Sequence, residues 1–121
     1  MGAEDRPPGR AHIAAIEVAL PERVVTSDDL AELHPAWNMP EVVARAGVVT
    51  RHWAGPDETS LDLAEAACRK LAGRGVDLGA VQTILFCTQS PDYPMPPNAC
   101  LLQDRLKIPI QITALDYNLA C

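Results

Sequence analysis

The chain has 121 residues and a formal net charge of −6; 48% of the residues are hydrophobic and 21% charged. That length holds one small domain with a real core, and the composition is that of a globular protein. The acidic balance argues against sequence-independent nucleic-acid binding, which needs a basic footprint, and no stretch reads as a signal peptide or a membrane-spanning helix.

A cytoplasmic location is therefore expected, with neither nucleic acid nor membrane as a partner. An acidic carrier protein would need a local basic patch. Only five residues are Phe, Trp or Tyr, so the core must come from Ala, Val, Leu and Ile.

Residues 1–10, with Pro7-Pro8-Gly9, read as a flexible tail. His12 to Leu20 is a mostly apolar run that predicts a strand, ended by Pro21. Thr26-Ser27-Asp28-Asp29 predicts a helix start, with side-chain caps and acids in the first turn. That helix is short because Pro35 follows. Pro40 opens a second short helix through Ala46, stopped by Gly47. Val48 to Trp53 has strand propensity.

Thr59 or Ser60 caps the clearest helix. Leu61, Ala64, Cys68 and Leu71 recur along it at helical spacing, and Gly73 and Gly75 end the pattern. Val81 to Cys87 is nearly continuous in apolar residues, which predicts a strand buried on both faces. Gln89 to Pro97 is a stiff loop with four prolines. Asn98 to Leu106 predicts another helix, with Pro109 beyond its end, and Ile110 to Asp116 the last strand. Strand, helix, strand over residues 81–116 is a βαβ unit, which implies a parallel pair.

The four cysteines stand at 68, 87, 100 and 121 with no C-x-x-C pair, so no zinc site is expected. Without secretion features, reduced thiols are expected. Cys68, Cys87 and Cys100 fall on apolar helix or strand faces, where packing as small hydrophobes is the default. Cys121 closes the segment Asp116-Tyr117-Asn118-Leu119-Ala120-Cys121, in which a β-prone run passes into small and polar residues. A strand would deliver a thiol to a turn in this way, and a helix start there would favour the nucleophilic thiolate. The same local sequence also fits a buried cysteine that merely packs.

Several pieces together resemble one family. Leu20-Pro21-Glu22-Arg23-Val24-Val25-Thr26 is similar to the L-P-x-x-x-x-T opening of β-ketoacyl-acyl carrier protein synthase III and its relatives. Arg45-Ala46-Gly47-Val48 followed by Arg51-His52 resembles that family's R-T-G-I-x-x-R-H segment. Glu58-Thr59-Ser60 through Ala64 resembles its next helix start, and Ala99-Cys100-Leu101-Leu102-Gln103 the helix before the nucleophile strand. Asp116 to Cys121 resembles the D-x-x-x-A-C approach to the catalytic cysteine. The resemblance runs over nearly all of residues 11–121.

The resemblance implies an α/β, thiolase-like fold, in which a duplicated unit gives a layered αβαβα body, usually as a homodimer. Residues 11–121 would be a partial N-terminal domain, most of the first copy, continuing beyond Cys121 in the complete protein. Cys121 would be the acyl-accepting nucleophile, taking its acyl group from a coenzyme A or acyl carrier protein thioester. These thioesters are substrates; no cofactor is implied. The family's other catalytic groups, a histidine and an asparagine, lie downstream. His12, His34 and His52 do not stand in for them and read as solvated or structural.

Arg45 matches a family arginine beside the coenzyme A mouth, where a guanidinium binds phosphate or stacks on a base. It equally fits a helix-end arginine satisfying carbonyls. The family typically has a tryptophan four residues before this arginine; here that position is Glu41, and Trp37 lies four further back. The departure favours a carrier-protein substrate or an unusual acyl donor. Met95 matches a position that projects into the partner subunit's acyl pocket, where a flexible side chain would shape chain-length preference. It also fits a loop residue packing at the dimer seam.

The implied activity is decarboxylative Claisen condensation that primes fatty acid or polyketide synthesis. An alternative keeps the nucleophile but transfers the acyl group to an alcohol, amine or carrier thiol. An alternative of another class is a noncatalytic interaction subunit.

Overall fold

The computed structural model describes residues 11–118. The expected tail at 1–10 and the expected nucleophile Cys121 lie outside the described residues. The chain alternates strands and helices: β1 (Arg23–Thr26), α1 (Ser27–Leu33), α2 (Met39–Ala46), β2 (Thr50–Trp53), α3 (Ser60–Gly73), a 3-10 turn (Leu78–Ala80), β3 (Thr83–Cys87), α4 (Asn98–Leu106) and β4 (Thr113–Tyr117).

Capping chemistry sets the first helices. Thr26 Oγ1 accepts from the Asp29 N–H at 3.0 Å, and the Asp29 carboxylate accepts from the Thr26 N–H at 2.7 Å. This reciprocal box satisfies two donors that a helix start leaves free. Asn38 caps α2, with Pro40 in its first turn, and Gly47 ends it at φ 69°, where a Cβ would be strained.

β1 pairs antiparallel with β2, Arg23 opposite Trp53 and Thr26 opposite Thr50. The Arg23 guanidinium sits 5.0 Å from the Trp53 ring centroid. Val25, Leu30 and Met39 form a buried cluster between this antiparallel pair and the two helices, with Ala31 and Trp53 against it. His52 Nδ1 lies 2.6 Å from the Pro21 carbonyl, so that nitrogen carries the proton and donates. His52 is thereby a structural tie, as expected from sequence.

A second cluster is built on α3 and the βαβ unit. Leu61, Ile84, Phe86, Ala99, Leu102 and Ile108 are buried together, with Ala64 and Cys68 packed against them. β3 and β4 pair in parallel, in register from Thr83 with Thr113 to Cys87 with Tyr117. The expected βαβ unit is present, and α4 spans the predicted residues.

Three expectations are corrected. Residues 12–20 form no strand; this stretch is mostly exposed and finds no ladder partner among the described residues. Cations of α3 and its C-cap hold it instead: Lys70 Nζ donates to the Val18 carbonyl at 2.8 Å and Arg74 to that of Ile16 at 3.2 Å. The strand at residues 81–87 is not buried on both faces. Ile84 and Phe86 point into the core, while Leu85 is 64% exposed. An apolar run reads alike whether one or both faces are covered, and the described residues cover one. Cys87 lies on the uncovered face and is exposed rather than packed.

Candidate active site

The parallel pair dictates where a site can form. In open α/β sheets, ligands bind beyond the carboxyl ends of the strands, where loops rather than ladders line the space. At that end of β3 and β4 lies a cavity of about 300 Å³, lined by Thr88, Gln89, Pro91, Tyr93, Pro94, Pro97, Asp116, Tyr117 and Asn118. Its wall is the proline-rich loop, and its base is the end of β4. The Thr88 N–H donates to the Tyr117 carbonyl at 3.2 Å, extending the ladder to the rim.

A polar network centred on one buried amide holds this wall to the sheet. Helix α4 has Pro97 at its N-cap, with no side-chain cap of its own. The carboxylate of Asp116, on the neighbouring strand, takes that role: its two oxygens accept from the N–H groups of Asn98 and Ala99 at 2.7 Å each. A carboxylate at the positive end of a helix is favoured by charge as well as by hydrogen bonding.

Asn98 is fully buried. Its amide donates to the Asp92 carboxylate at 3.1 Å and the Ser60 hydroxyl at 3.4 Å, and its side-chain carbonyl accepts from the Asp92 N–H at 3.1 Å. Ser60 in turn donates to the Ser90 carbonyl at 3.3 Å. Strand β4, helices α3 and α4 and the proline loop thus meet in one set of bonds. A buried amide so fully partnered specifies one loop geometry.

The titratable groups near this site are few. The neighbouring Cys87 side chain, opposite Tyr117 in the register, holds the Tyr117 phenol above its ordinary range. Burial pushes the Cys68 thiol up, which makes it a poor nucleophile. No metal-binding group of His, Cys, Asp and Glu occurs among the described residues. None of their helices is long and apolar enough to cross a membrane.

The sequence-predicted site residues are dispersed. Arg45, in the last turn of α2 with its side chain 81% exposed, pairs at 2.9 Å with Glu41 of the first turn. Trp37 precedes that helix and stacks on His34, ring centroids 4.0 Å apart. Neither lines the cavity. Met95 is 78% exposed on the proline loop and also lies outside the lining, although its neighbours Tyr93 and Pro94 belong to it. Cys121 follows Asn118 by three residues and lies outside the described ones.

In the sequence, Asp116 stands out only as part of the D-x-x-x-A-C resemblance and Asn98 only as a helix start. The available signals were a lone acid in an apolar strand and an Asn directly after Pro96-Pro97.

No protein-family model matches the chain. Among curated proteins, it is 39% identical over 115 residues to β-ketoacyl-[acyl-carrier-protein] synthase III of Methylococcus capsulatus, covering 92% of this chain and 34% of that protein. Among solved structures, a 2.1 Å crystal structure of a 3-oxoacyl-(acyl-carrier-protein) synthase III superposes with a TM-score of 0.80 at 47% identity, over 90% of this chain and 33% of the other. The Thermus thermophilus β-ketoacyl-[acyl carrier protein] synthase III superposes with a TM-score of 0.79 at 30% identity, over 90% and 33%. The chain therefore spans about a third of the length of the relatives it matches. Its α/β architecture is part of the thiolase-like fold expected from sequence.

Proposed function

This chain belongs to the β-ketoacyl-acyl carrier protein synthase III family over the part of the fold that it spans, and we propose that its protein is a condensing acyltransferase working through a Cys121 thioester. The observation that carries the proposal is the cavity at the carboxyl ends of β3 and β4. Its base residue Asn118 stands three residues from Cys121, a reach of at most about 11 Å.

The chemistry runs in two stages. The Cys121 thiolate attacks the carbonyl carbon of an acyl thioester, a sulfur–carbon bond forms, and the donor thiol leaves and takes up a proton. An extender unit then loses its carboxylate as carbon dioxide. The carbanion so formed attacks the acyl carbon, a carbon–carbon bond forms, and Cys121 is released as thiolate. Splitting the transfer through a covalent intermediate lowers each barrier. Coenzyme A and carrier-protein thioesters are the substrates, and priming of fatty acid or polyketide synthesis is the role.

In this reading the exposed Arg45 side chain meets the phosphates of the donor, with Trp37 as a nearby aromatic surface. Met95, projecting from the cavity wall into solvent, meets the partner subunit of a homodimer. The fused α/β unit and its polar network support this over a noncatalytic interaction subunit, which needs no such cavity.

The test is intact-mass measurement of the complete protein after incubation with acetyl-coenzyme A. The wild type gains one acetyl group and Cys121→Ala gains none. An acetyl group on the Ala variant would refute Cys121 as the carrier.

A further inference from the structure

We infer that Asp116 is a positioning residue for the acyl-transfer step, tying the strand that leads to Cys121 to the first turn of α4. The inference rests on Cys121 being the acyl carrier. Three observations converge on it.

The two oxygens of Asp116 are both engaged, each at 2.7 Å from a backbone N–H of a helix start that has no cap of its own. Such bidentate, charge-assisted bonds restrict direction as well as distance. The residue whose N–H binds one oxygen, Asn98, is fully buried and tied through its own side chain to Asp92 and Ser60. The helix end is therefore an immobile anchor rather than a fraying terminus. Finally, Asp116 is the fourth of five residues of β4, and Asn118, at the cavity base, is two residues beyond it. Any shift at Asp116 passes directly along the backbone to the cavity base and to the segment that bears Cys121.

Positioning of this kind acts on rate. Acyl transfer needs the sulfur aligned with the thioester carbonyl, and a misplacement of about 1 Å costs on the order of a hundredfold. Alkylation by a small freely diffusing reagent makes no such demand. The two reactions of one thiol thus separate geometry from exposure and ionisation.

The experiment uses the complete protein with acetyl-coenzyme A and, separately, iodoacetamide. For Asp116→Asn, the acetylation rate at saturation is expected to fall about 10- to 100-fold. Its half-saturating concentration and the rate of Cys121 alkylation should each stay within about threefold, as expected when uniform binding is untouched. An unchanged acetylation rate overturns the inference. So does an alkylation rate that changes as much as acetylation, because that is general loosening.

Asp116→Glu keeps the charge and serves if the Asn variant does not fold; a loss of about three- to tenfold is expected, and none overturns the inference. If the wild type gains no acyl group from acetyl-coenzyme A or from an acyl carrier-protein thioester, the Cys121 reading fails and this inference with it. A normally acetylated wild type beside an equally fast Asp116→Asn removes the inference alone.

Discussion

Leu61 is the residue on which the site's foundation can be weighed. It is fully buried among Ile84, Phe86, Ala99, Leu102 and Ile108. It directly follows Ser60, whose hydroxyl meets Asn98 and the Ser90 carbonyl. Leu61→Ala removes about three buried carbons, worth about 2.4 kcal/mol at about 0.8 kcal/mol each. A cavity contribution is added, which brings such changes to about 2–5 kcal/mol.

Relaxation around the hole is restrained. Thr59 and Asp62 lock the start of α3 in a capping box. Arg105 of α4 binds Asp62 at 2.6 Å and Glu65 at 3.2 Å, clamping the two helices. A loss of about 3–4 kcal/mol follows. Urea unfolding of the complete protein, followed by far-ultraviolet circular dichroism, reads it as a midpoint lowered by about 1 M for a slope near 3 kcal/mol/M. Leu61→Met, which conserves volume, should lose less than about 1.5 kcal/mol. A loss below about 1 kcal/mol for the Ala variant with unchanged slope would refute the claim that this core cannot collapse.

Acid should weaken the α3–α4 clamp. Hydrogen bonds from Arg105 and Thr59 hold the Asp62 carboxyl below its ordinary range, and those from Arg69 and then Arg105 do the same for Glu65. A folded value below the unfolded one gives stability that is present above the unfolded pKa and lost as pH falls through the folded one. The urea midpoint should therefore drop below about pH 4.5, and Arg105→Gln should flatten that drop. Gly47→Ala should cost about 1–2 kcal/mol from its positive φ alone, since a Cβ there meets nothing within 4 Å; thermal unfolding reads it, and Gly47→Asn should cost less. Glu41→Gln frees Arg45 from an exposed pair. Such pairs are worth about 0.2–1 kcal/mol, so the half-saturating concentration of acetyl-coenzyme A should fall, by no more than about fivefold, with the gain vanishing at high salt.

Local chemistry was legible wherever a residue acts through its near neighbours. The Thr26, Thr59 and Gly47 helix boundaries are set by bonds spanning a few residues, and the sequence carries both partners. The run of α4 was legible from the prolines on either side of it, Pro97 and Pro109, although its cap is not local. What depends on distant partners was not legible. The 12–20 run has strand composition, but a strand exists only against another strand. Val81 to Cys87 carries no mark of which face is covered. Asp116 caps a helix that starts 18 residues earlier, and no spacing rule anticipates a cap supplied from the adjacent strand. Arg45 and Trp37 fit a ligand-binding pattern, yet each has found a neighbour of its own in Glu41 and His34.

The two buried clusters share no residue. One is drawn from Val25 to Trp53, the other from Leu61 to Ala114. Substitutions in cores without common partners add in free energy to within about 0.5 kcal/mol. Met39→Ala and Leu61→Ala should therefore combine without epistasis. For a lineage under selection this is a division of labour. The stretch bearing Trp37 and Arg45 can drift toward a new donor while the stretch bearing the cavity and Asp116 is held constant. An engineer exchanging residues 21–53 between relatives exploits the same independence, since the graft brings its own interior with it.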